Sequence, residues 1–209
     1  MRKKLFLLLA NFFIWFGVAN ANEKIFKKLD TLFKKQEFRA EYVYTVYDNS
    51  SMENKSMYGK ITVKGNKYHI KMIDQEILND GTTVWVYLPG SNEVQISNYD
   101  LEDELCNPWH MICKYRTAYT LYKSYSKKSD KIEYYVIELI AKEDDNQYPY
   151  VTVDLSKSGK DLKKIEIIDK DKILHKFDLI SFSSVVNFKD ETFVFCPEVY
   201  NDIEIIDLR

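Results

Sequence analysis

The sequence lacks the short motifs that identify common enzyme classes. It contains no nucleophile elbow, no phosphate-binding loop and no dinucleotide-binding fingerprint. The acidic run at residues 143–145 falls in a polar turn, where carboxylates are more often solvated than catalytic. The sequence does not exclude an active site that is assembled from residues far apart in the chain. Because nothing in the sequence points to one, we predict a protein that is not an enzyme.

The spacings that hold metal ions are also missing. His69, His110 and His175 are far apart, and no two cysteines have C-x-x-C spacing. We therefore expect neither a metal ion nor another cofactor.

Cysteine is scarce, with three residues at positions 106, 113 and 196. Along a continuous helix, Cys106 and Cys113 would be about 10 Å apart, too far for a disulfide. Pro108 lies between them and can place Cys106 on a folded-back loop, so this bridge stays an alternative. We expect three unpaired, mostly buried cysteines.

Basic residues are not in excess, since 30 Lys and Arg stand against 32 Asp and Glu. Loss of the three basic residues at positions 2–4 would lower the formal net charge from −2 to −5. A nucleic-acid partner requires a basic patch, so none is predicted.

Residues 1–21 have the features of a cleaved export signal. Three basic residues at positions 2–4 precede an apolar stretch over residues 5–18, and residues 19–21 form an A-x-A cleavage site. The stretch is shorter than the about 20 apolar residues of a spanning helix, so an uncleaved anchor is the weaker alternative. No cysteine lies near the cleavage point, so no acylated start is expected. We expect an exported, soluble single domain over residues 22–209.

The spacing of apolar residues changes once near the start of this domain. Apolar residues recur at steps of three and four over residues 23–35, which predicts a helix with one apolar stripe. From Phe38 to Val46 the period changes to two, which predicts a strand. Between Gly59 and Tyr99, short β-rich runs are separated by Gly-Asn, Asn-Asp-Gly and Pro-Gly-Ser-Asn turns. This segment is predicted to be a β-meander of four or five strands.

A second helix and further strands are predicted after the meander. Asn107 and Pro108 form a helix start, and aromatic and apolar residues at helical spacing extend it to about Tyr125. Extended segments are then predicted over residues 133–141, 148–155, 162–168, 173–186, 192–195 and 202–208. The order indicates an α+β fold in which two helices accompany a curved antiparallel sheet.

The segment 82–88 is apolar on both faces, with Val84, Val86 and Leu88 on one and Trp85 and Tyr87 on the other. A sheet with one solvated face does not explain this pattern, so apolar groups should cover each side. The helices could fill the curved sheet as an ordinary core, or they could form a lid over a cavity for an apolar ligand. Periodicity alone favours neither.

Several segments resemble a known family. Residues 76–89, EILNDGTTVWVYLP, resemble the ilvsDGktlWfYnP core of the outer-membrane lipoprotein carrier family, LolA, and follow a matching G-x-I-x-V-K entry at residues 59–64. Residues 107–112 resemble the start of its lid helix. Residues 193–197 and 203–207 resemble its closing segment. The match covers nearly all of the mature chain in the right order.

This resemblance implies an incomplete antiparallel β-barrel, a strongly curved sheet with helices covering its open side. It implies a periplasmic carrier that takes acylated lipoproteins from an inner-membrane release complex to an outer-membrane acceptor, as a monomer. A cavity for acyl chains is the only site implied. The residues expected to line it or its lid are Leu29, Leu32, Phe33, Tyr68, Ile70, Met72, Trp85, Tyr87, Trp109, Met111 and Ile112.

The sequence departs from the family at Gly65, where many members have an arginine proposed to help hold the lid. Either Lys64 or Lys67 substitutes for it, or apolar contacts alone hold this lid. The resting state of the lid, the cargo range and the acceptor are left open.

Two other classes of function are kept as alternatives. A sensor domain of the same fold would bind lipid or a misfolded lipoprotein and signal to a partner, but no second domain is evident. An exported hydrolase would need a clustered nucleophile and base, which the sequence lacks.

Overall fold

A computed structural model describes residues 27–29, 31–32, 37–48, 54–99, 115–129, 132–184 and 186–209. The predicted signal peptide lies outside this part of the chain. So do the following predicted residues: Phe33, Cys106, Trp109, His110, Met111, Ile112 and Cys113.

Twelve strands form one sheet. The first six are β1 (Glu37–Tyr47), β2 (Lys55–Lys64), β3 (Lys67–Met72), β4 (Glu76–Asn79), β5 (Thr83–Leu88) and β6 (Glu93–Asn98). The others are β7 (Tyr119–Ser129), β8 (Ile132–Ala141), β9 (Tyr150–Ser156), β10 (Leu162–Ile168), β11 (Leu174–Ser183) and β12 (Glu204–Asp207).

The strand order is β12-β6-β5-β4-β3-β2-β1-β11-β10-β9-β8-β7. All pairs are antiparallel except β12 with β6, which is parallel. The sheet is not closed, so β12 and β7 are its edges. The strand β1 lies in the middle and joins the meander β2–β6 to the later strands.

The α+β prediction, with helices covering the open side, is wrong for the described chain. About 60% of it is strand, and almost no helix covers the sheet. The helical pieces are residues 27–29 and 31–32, the short helix Tyr115–Ala118 and two 3₁₀ turns.

The predicted extension of the second helix to Tyr125 is also wrong. After Tyr115–Ala118 the chain forms strand β7, which pairs along β8. Tyr119 and Tyr122 have helical spacing, but Tyr119 and Leu121 also alternate, and both pack against the main core. Pairing with the apolar strand β8 decides between two patterns that the local sequence allows.

The predicted strand over residues 192–195 is wrong as well. Asp190–Phe193 is a 3₁₀ turn, and a second one, Pro197–Val199, follows. These turns bring Phe193 and Phe195 into buried positions.

The meander prediction is confirmed, with five strands, β2 to β6. Its turn between β4 and β5 is held by side chains: Asn79 Oδ1 accepts a hydrogen bond from the Gly81 amide, and Asp80 Oδ1 accepts from the amides of Thr82 and Thr83. Gly81 has φ +97°, a backbone conformation that glycine adopts without strain. The polar residues of this turn therefore fix the register of the meander.

Two apolar clusters lie on opposite faces of the sheet. The larger one joins side chains from both halves, such as Ile61 and Ile165, so the sheet curves around it. We call the face that carries this cluster the concave face. The smaller cluster, around Leu78, Val94 and Phe195, lies on the other, convex face.

Candidate functional site

The helical residues near the start of the described chain pack against the concave face. Leu29 is fully buried and Leu32 is 5% exposed, and both belong to the larger cluster. The Lys28 ammonium donates to the carbonyl oxygens of Lys157 and Ser158, at 3.0 and 3.2 Å. These contacts fix the helical residues to the β9–β10 turn.

A cavity of 410 Å³ lies beside this contact. Leu32 and Phe182 supply apolar walls, and Thr31, the β9–β10 turn and the end of β11 supply the rest. A cavity of this size lies within the range of small-molecule sites.

Three predicted site residues lie together on strand β3. Tyr68 and Ile70 are buried in the larger cluster, and Met72 packs against it. Because alternate residues of a strand share a face, all three point to the concave side. Together with Leu29 and Leu32, they form one continuous apolar surface.

The two predicted residues of strand β5 are not part of this surface. Trp85 and Tyr87 pack in the smaller cluster on the convex face. The ring centroid of Tyr87 lies 4.5 Å from that of Tyr200 and 5.7 Å from that of Phe195. The C-terminal segment therefore covers these two residues.

Sequence reasoning missed the residues of β5 that do face the concave side. Val86 is paired with Ile77, which is paired with Ile70, so the three lie in one row across adjacent strands. Val84 and Val86 are half-buried and are absent from both apolar clusters. The sequence does contain the pattern that identifies them, because the two-residue alternation along β3 and along β5 determines which residues of each strand share a face.

The lysines beside Gly65 bind the C-terminal segment. Lys64 Nζ lies 2.9 Å from Asp190 Oδ1 and donates to the Phe188 carbonyl oxygen at 2.8 Å, while Lys67 Nζ lies 3.1 Å from Asp190 Oδ2. The hydrogen bond from Lys64 is the main cause that lowers the pKa of Asp190. Gly65 itself has φ +61°, which the hairpin requires.

Three polar side chains, Tyr44, His175 and Asp169, form a short hydrogen-bonded chain on the concave face. Tyr44 Oη lies 2.7 Å from His175 Nδ1, and His175 Nε2 lies 3.1 Å from Asp169 Oδ2. Burial raises the pKa of Tyr44 to about 12, so this hydroxyl stays protonated at neutral pH. A phenol held in its neutral form is a hydrogen-bonding group rather than a nucleophile.

No group of His, Cys, Asp and Glu side chains that could hold a metal ion occurs in the described ranges. His69 pairs with Glu76, at 2.7 Å between Nε2 and Oε1. Cys196 is free and exposed, so the expectation of a buried cysteine is wrong for this residue. A search of the described residues finds no helix with the length and apolarity to cross a membrane.

An open, curved sheet with an apolar concave face is an architecture that can hold an apolar ligand. The sequence matches the family model of the outer membrane lipoprotein carrier protein LolA over residues 34–196, which is most of the chain. The protein therefore belongs to the LolA family. A comparison with curated proteins finds no match.

Solved structures with similar folds include an uncharacterized conserved protein from Thermus thermophilus, with TM-score 0.54, 10% identity, and coverage of 90% of this chain and 99% of that one. A LolA superfamily protein from Nitrosomonas europaea has TM-score 0.46 and 16% identity, over 83% of this chain and 97% of its own. A putative outer membrane lipoprotein-sorting protein domain from Vibrio parahaemolyticus has TM-score 0.45 and 12% identity, over 81% and 94%. At these identities the likeness concerns the fold alone.

Proposed function

We propose that the protein is a periplasmic carrier that binds the acyl chains of lipoproteins on its concave face and moves them from the inner to the outer membrane. Membership of the LolA family supports the carrier role. The single observation that carries the proposed site is the row Ile70, Ile77 and Val86, which passes from buried to half-buried.

Within the described residues, this row extends the apolar core into a half-buried wall. Ile70 is 4% exposed, whereas Ile77 and Val86 are half-buried, and Val86 is absent from both apolar clusters. An acyl chain along the row would exchange water for apolar contacts. Each buried methylene contributes about 0.8 kcal/mol, so an acyl chain of common length gains on the order of 10 kcal/mol.

The proposed pocket includes the β3 residues Tyr68, Ile70 and Met72 and the buried leucines Leu29 and Leu32. Trp85 and Tyr87 are left out of it, because the C-terminal segment covers them on the convex face. The residues proposed for the lid are Trp109, Met111 and Ile112, and Phe33 stays proposed for the site with the apolar stripe of the first helix.

The proposed partners are an inner-membrane complex that loads the carrier and an outer-membrane acceptor that unloads it. A carrier of this kind must hold acyl chains firmly enough to extract them and loosely enough to release them. We propose that it works as a monomer in the periplasm and carries no cofactor.

The test is release of a labelled lipoprotein from spheroplasts by the purified protein. We expect the lipoprotein to leave the membrane and to copurify with the protein. In Val86→Glu, a charge on the half-buried wall should abolish release. Asn98→Glu is the matched control, because Asn98 is exposed on the neighbouring strand β6 and alternates to the convex face.

The proposal fails if the protein leaves the labelled lipoprotein on the membrane. It also fails if Val86→Glu and Asn98→Glu release the same amount, because the wall would then not be the site. Binding of soluble lipoprotein without release would favour the sensor alternative.

A further inference from the structure

The turns at one end of strands β7–β10 bring basic side chains together. These strands lie side by side in the order β10-β9-β8-β7, and each pair is antiparallel. The β7–β8 turn and the β9–β10 turn are therefore at the same end of the sheet, which we call the basic end. Its described lysines, on the strand ends, in the β9–β10 turn and on the helical residues bound to that turn, are Lys28, Lys127, Lys128, Lys157, Lys160 and Lys163.

Few carboxylates neutralise these lysines. Glu133, at the start of β8, is paired with Lys157, at 3.0 Å between Oε1 and Nζ, and Asp161 ends the β9–β10 turn. The formal charges of Asp130 and Lys131, in the β7–β8 turn, cancel. Six lysines against two carboxylates leave a surplus of four positive charges, in a chain whose formal net charge is −2.

The surplus is confined to this end of the strands. Further along, Lys164 Nζ lies 3.0 Å from Glu166 Oε1 and 3.5 Å from Asp154 Oδ2, so the charges there are paired. At the opposite end, three lysines at positions 142, 170 and 172 stand against five acidic residues at positions 143–145, 169 and 171. The two ends of a ten-residue strand such as β8 are about 30 Å apart, which exceeds the screening length of about 10 Å. The basic end therefore acts on a partner by itself.

Fixed contacts hold the inner lysines of this end. Lys28 Nζ donates to the carbonyl oxygens of Lys157 and Ser158, and Lys157 Nζ lies 4.5 Å from the centroid of the Tyr135 ring. The other four lysines are exposed to solvent. Their ammonium groups can therefore reach an anionic partner without a change in the fold.

An apolar side chain lies among these lysines. Ile132 is the first residue of β8, is 63% exposed and is paired with Ser129 at the end of β7. An exposed apolar group beside ammonium groups matches the interface of a bilayer, where headgroup phosphates lie next to acyl chains. A soluble acidic partner supplies the charge but not the apolar layer.

We propose that the basic end binds the surface of a membrane that contains anionic phospholipid, with its lysines at the phosphates and Ile132 among the headgroups. The four strands span about 14 Å, so several headgroups lie within reach. The 410 Å³ cavity has Gly159 and Lys160 in its lining and lies beside this contact. The inference goes beyond the proposed function and does not depend on it.

Sedimentation with lipid vesicles tests this inference. The purified protein is mixed with vesicles of phosphatidylglycerol and phosphatidylcholine and, in parallel, with vesicles of phosphatidylcholine alone. We expect at least about tenfold stronger binding to the vesicles that contain phosphatidylglycerol. This binding should be lost in about 1 M salt, where the screening length falls to about 3 Å.

Charge reversal at the end of β7 tests the lysines. Lys127→Glu combined with Lys128→Glu should weaken binding at least about thirtyfold, because each lysine near an anionic surface contributes about fivefold. Circular dichroism and thermal unfolding should stay unchanged, since both side chains are exposed.

The matched control is Lys55→Glu combined with Lys170→Glu. It changes the net charge by the same amount, but both residues are exposed at the opposite end of the sheet. Binding should change less than about threefold. Ile132→Ser should weaken binding about threefold through the apolar contact alone.

Four outcomes would overturn the proposal. Equal losses in the two double variants would show that net charge alone causes binding. Equal binding to both kinds of vesicle, or binding to neither, would exclude anionic lipid as the partner. Equal binding of Ile132→Ser and the unchanged protein would contradict the contact of this side chain with the headgroups. Binding of soluble polyglutamate or DNA as tight as that of the vesicles would assign the basic end to an acidic protein or to a nucleic acid.

Discussion

The hydroxyl of Tyr44 lies 2.7 Å from Nδ1 of His175, and the two rings are nearly parallel, at 5°. The two residues lie on the neighbouring strands β1 and β11 and are 131 residues apart in sequence. Asp169 completes the chain at the far nitrogen of the imidazole. This contact therefore joins the first strand to the last long strand through two half-buried side chains and the buried Asp169.

We expect Tyr44→Phe to lower the free energy of unfolding by about 1–2 kcal/mol, because it removes one hydrogen bond and leaves Nδ1 of a half-buried imidazole without it. Urea unfolding measures this loss. Tyr58→Phe is the control, since Tyr58 is 44% exposed and its hydroxyl donates to the exposed Glu41. That change should cost less than about 0.5 kcal/mol. Equal losses in the two variants would contradict the role given to the Tyr44 contact.

Tyr44, which is half-buried, and Tyr119, which is buried, should make the protein sensitive to alkali. Burial raises the pKa of both Tyr44 and Tyr119 to about 12 from 10.0. A raised folded-state pKa means that the protonated form is favoured in the fold. The contribution to stability is complete below pH 10 and is lost as the pH rises from 10 to 12.

Absorbance at 295 nm during an alkaline titration measures tyrosine ionisation directly. We expect a late phase near pH 12 that decreases in Tyr119→Phe and in Tyr44→Phe. A titration in which both variants keep the full late phase would show that other tyrosines are responsible.

Asp154 is a buried carboxylate on the convex face, 4% exposed, and its Oδ1 has no hydrogen-bond partner. Burial raises its pKa, in spite of Lys164, whose Nζ lies 3.5 Å from Oδ2. A raised carboxyl pKa means that stability is lost as the pH rises through the folded value. We expect Asp154→Asn to gain about 1 kcal/mol at pH 7, and to lose this advantage at a pH below the ordinary value of 3.8.

Thermal unfolding at the two pH values checks this prediction. Asp178→Asn is the control, because Asp178 lies on the same face but is only half-buried, with 48% of its side chain accessible. A loss of stability at pH 7 in Asp154→Asn would mean that the Lys164 pair outweighs the cost of burial.

We expect Asp190→Ala to loosen the C-terminal segment from the meander. Lys64 and Lys67 both lose their ion pair, but exposed pairs contribute at most about 1 kcal/mol, so the protein should stay folded. Hydrogen exchange over residues 190–203 should accelerate, and Trp85 fluorescence should shift to longer wavelength as its cover opens. Asp178→Ala, which breaks the half-buried pair with Lys176, should change neither signal.

The meander could be predicted from the sequence because each run of β-forming residues ends at a turn-forming sequence. The alternation within β5 is also evident in the sequence, since it separates Val84 and Val86 from Trp85 and Tyr87. Which of these two faces lies beside Ile70 and Ile77 depends on strand pairing, about which the W-x-Y motif carries no information. The strand β7 was harder. Helical and extended patterns coexist around Tyr119, and only pairing with β8, a contact made after the chain reverses, selects the strand.

The ion pair between Lys64 and Asp190 could not be predicted from the sequence for a similar reason. Residues 126 positions apart meet only because the C-terminal segment crosses the meander on the convex side. Local patterns carry no information about that crossing.

The central strand β1 pairs with β2 on one side and with β11 on the other. Its second partner is made from residues 174–183, so β1 has one bare edge until most of the chain is present. Contacts of such sequence separation slow folding, because a large loop must close before they form. A chain that emerges from a membrane with its N-terminus first would therefore expose an aggregation-prone strand edge for most of its passage, and would depend on protection during that interval.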